Sequence, residues 1–372
     1  MYRLGGDAIA TPSRLTRGRN PPATAPGPDP APGSVGRRMD VTVFLRRSKV
    51  LVVVGKGGVG KTTTTAALAS LAARAGLDVL VVALDDTAGL AALLDYGDGL
   101  GYDEVVVRAP ASPPGEPGEN RSPGPERVPG RVRARVLTSD AALTEYLAAH
   151  GLGRFAARLV RTGALDVVAM AIPGIREVLI LGKVRQLEVA GTADLIVLDA
   201  PATGHALSFL SSSGGLADAA RGGPLRAQAD QVVAMLTDPD RCQVLLVTIP
   251  EETPVNEAVE TAFRIEDEIG VTLGPVVVNC CYPVLHHLDD DPAEAAAAAG
   301  APPPEPGLAD SIARAAAFRR GRQRLQEAQL ARLAERLPLP TIKLPYLFTA
   351  GVGVAELGRL VAALAAGIAA LP

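Results

Sequence analysis

Short, unbroken apolar runs recur along this chain with helical patterns between them, and this alternation limits the fold more than any other feature. The runs are Val50–Val54, Val79–Leu84, Leu195–Leu198, Val244–Ile249, Val276–Val278 and Thr341–Leu344. A strand that is apolar throughout, not at every second position, must be covered on both faces. Strands joined by helical crossovers run parallel. The pattern therefore predicts an α/β fold, a doubly wound and mostly parallel sheet. From about Ala141 to Ala190 the strand signal disappears. Leu143, Tyr146, Leu147, Ile175, Val178, Leu179 and Leu181 predict a helical insertion there, at about residues 139–190. The tail from Val354 to Leu371 repeats Leu357, Leu360, Val361, Leu364, Ile368 and Leu371 at helical spacing. Glu356 and Arg359 interrupt it, which predicts a core-packing helix, not a membrane span.

Other segments lack any such period. Residues 1–38 are rich in Pro, Gly, Ala and Arg and predict a disordered tail ahead of one domain at 39–372. Met39 directly precedes Asp40-Val41-Thr42-Val43, which makes it an alternative translation start to Met1. Residues 109–130 predict a disordered loop and residues 289–307 a flexible one. At 372 residues with 48% hydrophobic content, the chain can bury a large core. Its net charge of −3 supplies no basic field, so no nucleic-acid partner is expected. The three cysteines, Cys242, Cys280 and Cys281, form no CxxC pair and read as reduced core residues. Without a leader-like pattern at the N-terminus, a cytoplasmic location is expected.

The run Val50–Val54 leads into Gly55-Lys56-Gly57-Gly58-Val59-Gly60-Lys61-Thr62-Thr63, and an Ala/Leu helical pattern follows at once. In a strand, glycine loop and helix of this kind, backbone N–H groups turn around phosphate oxygens and the helix N-terminus adds partial positive charge. Lys61 would reach the β/γ-phosphates and Thr62 would ligate magnesium. Among 37 basic residues only Lys49, Lys56, Lys61, Lys183 and Lys343 are lysine, and two of these five lie in the loop. A compact ammonium suits an enclosed phosphate better than a guanidinium.

Carboxylates stand where further chemistry would need them. Val79–Leu84 ends in Asp85-Asp86, and Leu195–Leu198 ends in Asp199-Ala200-Pro201-Ala202-Thr203-Gly204-His205. The C-terminal ends of parallel strands face the ligand crevice, so one aspartate can hold magnesium and another can orient water. An isolated strand-end aspartate reads as a helix cap or turn residue, but together with the loop the functional reading is favoured. His205 reads as a switch or turn residue, and Lys183 as a solvated helix charge.

These residues resemble the signature-lysine ATPases, specifically the arsenite-pump and tail-anchored-protein-insertion family. Gly55–Thr63 reproduces that family's phosphate loop, and Asp199–Leu207 resembles its second switch. Val247-Thr248-Ile249-Pro250-Glu251, with Glu257 further on, is similar to the family's Val-Thr-x-Pro-Glu segment. Val277-Val278-Asn279 resembles the strand whose Asn meets adenine, and Pro173-Gly174-Ile175-Arg176-Glu177 resembles a motif of the helical insertion.

The resemblance implies ATP and Mg2+ as cofactors. It also implies that Lys56 reaches a partner subunit's nucleotide, Asp85 positions water, and Thr62 and Asp199 serve the metal. The nucleotide-contacting set is Gly55, Gly57, Gly58, Val59, Gly60, Lys61, Thr62, Thr63, Asn279 and Pro345. The first switch departs from the family's Asp-Pro-Ala-His, reading Asp85-Asp86-Thr87-Ala88, and the second carries Pro201-Ala202 in place of Ala-Pro. Implied partners are a second copy or a related ATPase subunit, together with a client protein or membrane component. The expected function is an ATP hydrolase that opens and closes as a dimer to handle a client protein or a transported anion. The alternative is a nucleotide-switched membrane- or DNA-surface scaffold of the Min/Par type.

Overall fold

The computed structural model describes residues 38–84, 88–107, 130–149, 151, 174–219 and 222–372. Asp85, the bulk of 1–38 and of 109–130, and the middle of the insertion, with Pro173, lie outside the described residues. Among the described residues eight strands form one sheet in the order β3-β4-β2-β5-β1-β6-β7-β8. They are β1 (Val50–Gly55), β2 (Val79–Ala83), β3 (Val105–Val107), β4 (Val132–Val136), β5 (Leu195–Ala202), β6 (Cys242–Thr248), β7 (Val276–Cys281) and β8 (Thr341–Pro345). The β3–β4 pair is antiparallel and the remaining pairs are parallel. The six expected strands are all present. The two added ones, β3 and β4, form one edge, where Arg133 and Arg135 interrupt the apolar pattern and hide the strand from a search for unbroken runs.

Strand side chains divide strictly by parity between two cores. Leu51, Val53, Val79, Val81, Leu195, Val197, Leu245 and Val277 point to one face. Val50, Val52, Val54, Leu80, Val82, Ile196, Leu198, Val244 and Val276 point to the other. The first face is covered by α1 (Val41–Leu45), α2 (Lys61–Arg74), α3 (Ala88–Leu93) and, beyond β8, the C-terminal helix. Asp40 starts α1 by accepting from the N–H groups of Thr42 at 2.8 Å and Val43 at 3.1 Å.

Between β4 and β6 in the chain come α4 (Ser139–Ala149), α5 (Ile175–Ala190), α6 (Thr203–Ala219) and α7 (Pro224–Leu236). After β6 follow α8 (Glu252–Phe263), which runs into a wider π-type turn at Arg264–Ile269, then α9 (Pro292–Ala298), α10 (Pro306–Arg336) and α11 (Val354–Ala369). Helices α4 and α5 stand at the two ends of the expected insertion and pack on each other. Lys183, read as a solvated charge, is instead largely covered and pairs with Glu145 across α4 and α5. The stretch 289–307, read as a loop, contains α9, because the Asp291 carboxylate caps the N–H groups of Ala293 and Glu294.

Helix α11 buries Leu357, Leu360, Val361, Leu364 and Ile368 against α2 and β8. It lies so close to β8 that a Cβ on Gly367 would fall 2.6 Å from a methyl of Ile342. Among the described residues no helix is long and apolar enough to cross a membrane.

Cys242 is buried as expected, but Cys280 and Cys281 are only half-buried at the end of β7. Burial pushes the Cys242 thiol up to about 12 and the Cys281 thiol up to about 11. Because the thiolate is the form that reacts, iodoacetamide at pH 8 should leave Cys242 unmodified and label Cys281 slowly in the native protein. All three should label in guanidinium. Intact-mass time courses check this, and rapid native labelling of Cys242 would contradict the burial.

Candidate functional site

The loop Lys56–Gly60 leaves the C-terminal end of β1, the strand enclosed by β5 and β6. Gly55 is forced to be glycine, since a Cβ there would lie 2.3 Å from the Val247 carbonyl oxygen of β6. Gly58 and Gly60 take φ values of 85° and 92°, in the left-handed region. At Gly60 a Cβ would also meet the Asn279 amide nitrogen at 2.3 Å. Gly60 is the N-cap of α2, which has neither a side-chain cap nor an acidic residue in its first turn. With no carboxylate in that turn, the positive end of the helix dipole suits an anion.

Thr62 donates its hydroxyl to Asp199 Oδ2 at 2.7 Å, and Thr65, one turn on, donates to Oδ1 at 3.3 Å. The ladder between β1 and β5 sets this contact, with Val53 opposite Asp199 and a register shift just beyond, before Gly55. A hydroxyl and a carboxylate in contact at the rim of a phosphate loop are the hard oxygen donors that Mg2+ takes. The residues present thus fit a magnesium nucleotide.

Lys61 Nζ donates to the Lys56 carbonyl at 3.3 Å, so its ammonium arches back over the loop. Lys56 points the other way and pairs with Glu257 of α8. Buried Asn279, on β7, donates from Nδ2 to the Val59 carbonyl at 2.9 Å and braces the loop from the side. Past Asn279 the chain turns through Cys280 at φ 58°, and Cys281 stands opposite Pro345 of β8. Tyr282 and Tyr346 then stack at 4.6 Å, Phe348 meets both edge-on, and the Arg319 guanidinium lies 4.4 Å over Tyr282.

The structure therefore gathers Gly55 to Thr63, Asp199 and Asn279 in one place, with Pro345 at the neighbouring strand end. Asp85 is not described. The described part of β2 runs beside β5 with Ala83 opposite Asp199. His205 is exposed in the first turn of α6. Sequence reasoning missed Thr65, and it named Glu257 without its partner. Thr65 was legible, because it sits three residues after Thr62 on the same helix face. The pairing of Glu257 with Lys56 was not, because 201 residues separate the two.

Residues 50–371 match the CobQ/CobB/MinD/ParA nucleotide binding domain family. The chain belongs to that family. It is 34% identical over 245 residues to ATPase BagA of Mycobacterium tuberculosis, an alignment covering 64% of this chain and 66% of that protein. It is 28% identical over 218 residues to the arsenical pump-driving ATPase of Escherichia coli, covering 58% of this chain and 32% of that one. ATPase ARSA1 of Chlamydomonas reinhardtii is 27% identical over 272 residues, with 62% and 34% covered. The relatives are thus longer than the matched region, and about two thirds of BagA is spanned.

The contact at Gly60 gives a direct check of the loop. Gly60→Ala adds a Cβ where both φ and the Asn279 amide oppose it, so nucleotide affinity should fall by roughly 10-fold or more, the effect of about 1.4 kcal/mol or greater strain. Titration with a fluorescent ATP analogue measures it, and an unchanged Kd would show that the loop does not hold this conformation.

Proposed function

We propose that the chain is a magnesium-dependent ATP hydrolase whose turnover is coupled to association of two subunits. The contact between Thr62 and Asp199 at the start of α2 supports the magnesium-nucleotide part of this reading, because a hydroxyl and a carboxylate meet beside the phosphate loop. When bound, ATP with Mg2+ supplies the phosphoanhydride to be cleaved and divalent charge to offset its oxygens. Lys61, whose ammonium lies at the Lys56 carbonyl of the same loop, would bind the β/γ-phosphate oxygens. Thr62 and Asp199 hold the metal side, Thr65 keeps the carboxylate oriented, and Asp85 positions the attacking water. Asn279 and Pro345 border the base. Lys56 acts in trans, where a cation at the phosphates lowers the cost of charge development as an arginine finger does.

The output is conformational, used on a client protein or a transported anion in the cytoplasm. The name arsenical pump-driving ATPase, borne by relatives, supports a role in driving a separate component. Helix α11 buries its apolar face in the core, so this helix is not presented to a membrane surface as a Min/Par-type scaffold would use it.

Lys61→Ala should weaken nucleotide binding about 10- to 100-fold, the scale of a charged hydrogen bond. Lys56→Ala should bind nucleotide normally yet lose roughly 10³-fold in turnover. Asp85→Asn should also bind ATP and fail to hydrolyse it. Phosphate release at several protein concentrations, beside solution mass with and without ATP and Mg2+, tests all three. A protein that stays monomeric, with activity independent of concentration and a fully active Lys56→Ala variant, would refute the reading.

A further inference from the structure

The ammonium of Lys56 lies neither free in solvent nor over its own loop. It is held by Glu257, on the helix that follows β6, the strand directly beside β1. The two side chains are 38% and 35% exposed, so water and an incoming group can both reach the pair. The helix that carries Glu257 is tied to α10 at and just before its start. Arg322 pairs with Glu251 at 3.4 Å and Arg332 with Glu252 at 3.5 Å, and Arg336 donates to Asn256 Oδ1 at 3.5 Å.

We propose that Glu257 is a positioning residue for Lys56, storing its ammonium on α8 in the lone subunit and yielding it when a second subunit docks. The proposal rests on the reading of Lys56 as a cation acting in trans. While paired, Lys56 has its charge offset by the carboxylate. A polyphosphate presented by another subunit carries several charges and outcompetes a single carboxylate. The pair's half-exposed setting keeps release inexpensive, since ion pairs of this kind shift equilibria only about two- to five-fold. Lysine fits the task better than arginine, because its ammonium can turn on a flexible stem from one acceptor to the other.

Two measurements on the full chain test the proposal. The first is the rate at which acetic anhydride acetylates Lys56 at a concentration where the protein is monomeric, read by peptide mass spectrometry. Glu257→Gln should raise that rate about two- to five-fold over wild type, and Glu257→Asp should restore the slower rate. No change on Glu257→Gln overturns the storage of Lys56, whether or not the chain hydrolyses ATP. The second is the protein concentration giving half-maximal ATP hydrolysis. Glu257→Gln should lower it about two- to five-fold, with kcat at saturating protein little changed. In the Lys56→Ala background the Glu257→Gln change should have no effect on mass in solution with ATP and Mg2+. An unchanged half-maximal concentration, or an effect that persists without Lys56, overturns the coupling to association. Wild-type activity that does not depend on concentration refutes the two-subunit function instead, and the acetylation rates then decide separately whether Glu257 holds Lys56.

Discussion

Everything at the candidate site follows from how β1 is enclosed. All six of its residues are buried, so each backbone N–H and C=O must find a partner within the sheet. The parallel ladders to β5 and β6 meet that need and in doing so fix two carboxyl-terminal strand ends beside the phosphate loop. One brings Asp199 to Thr62; the other brings the Val247 carbonyl against Gly55 and launches α8 toward Lys56. The glycine at position 55 is thus a packing requirement of the sheet as well as the beginning of an anion site.

The two lysines of the loop reach different acceptors. Lys61 donates to a backbone carbonyl within the loop, and Lys56 pairs with a carboxylate on α8. Arginine, which supplies most of the positive charge of this chain, does different work. It ties elements to one another at Glu188, Glu251 and Glu252, and it stacks on the aromatic rings beyond β7 and β8.

Much of this was legible in the sequence because it depends on local pattern. Apolar runs marked β1, β2, β5, β6 and β7, and Ile342 and Leu344 marked β8 despite Lys343 between them; the glycine and lysine spacing marked the loop before any fold was in view. Strand β4, next to the edge, escaped because its pleat alternates Val132, Ala134 and Val136 with Arg133 and Arg135, which both pair with Glu104. Helix α9 escaped because an alanine- and proline-rich stretch reads as a loop unless the Asp291 cap is recognised as a start signal. Lys183 and Glu257 escaped for a different reason. Their roles come from partners on other elements, and a side chain's charge says nothing about which distant residue will neutralise it.

The join between β5 and α6 has a mechanical meaning. The strand ends at Ala202 and the helix begins at Thr203, so no loop intervenes between the carboxylate that meets Thr62 and a helix packed on α5 and α7. With 17 residues, α6 is about 25 Å long at 1.5 Å per residue. A tilt of about 5° at its Asp199 end would carry its far end through roughly 2 Å, the scale on which packed helices shift against one another in switching proteins. A helix joined in this way to the strand that bears Asp199 has the geometry of a lever, in which any tilt at the near end is largest at the far one.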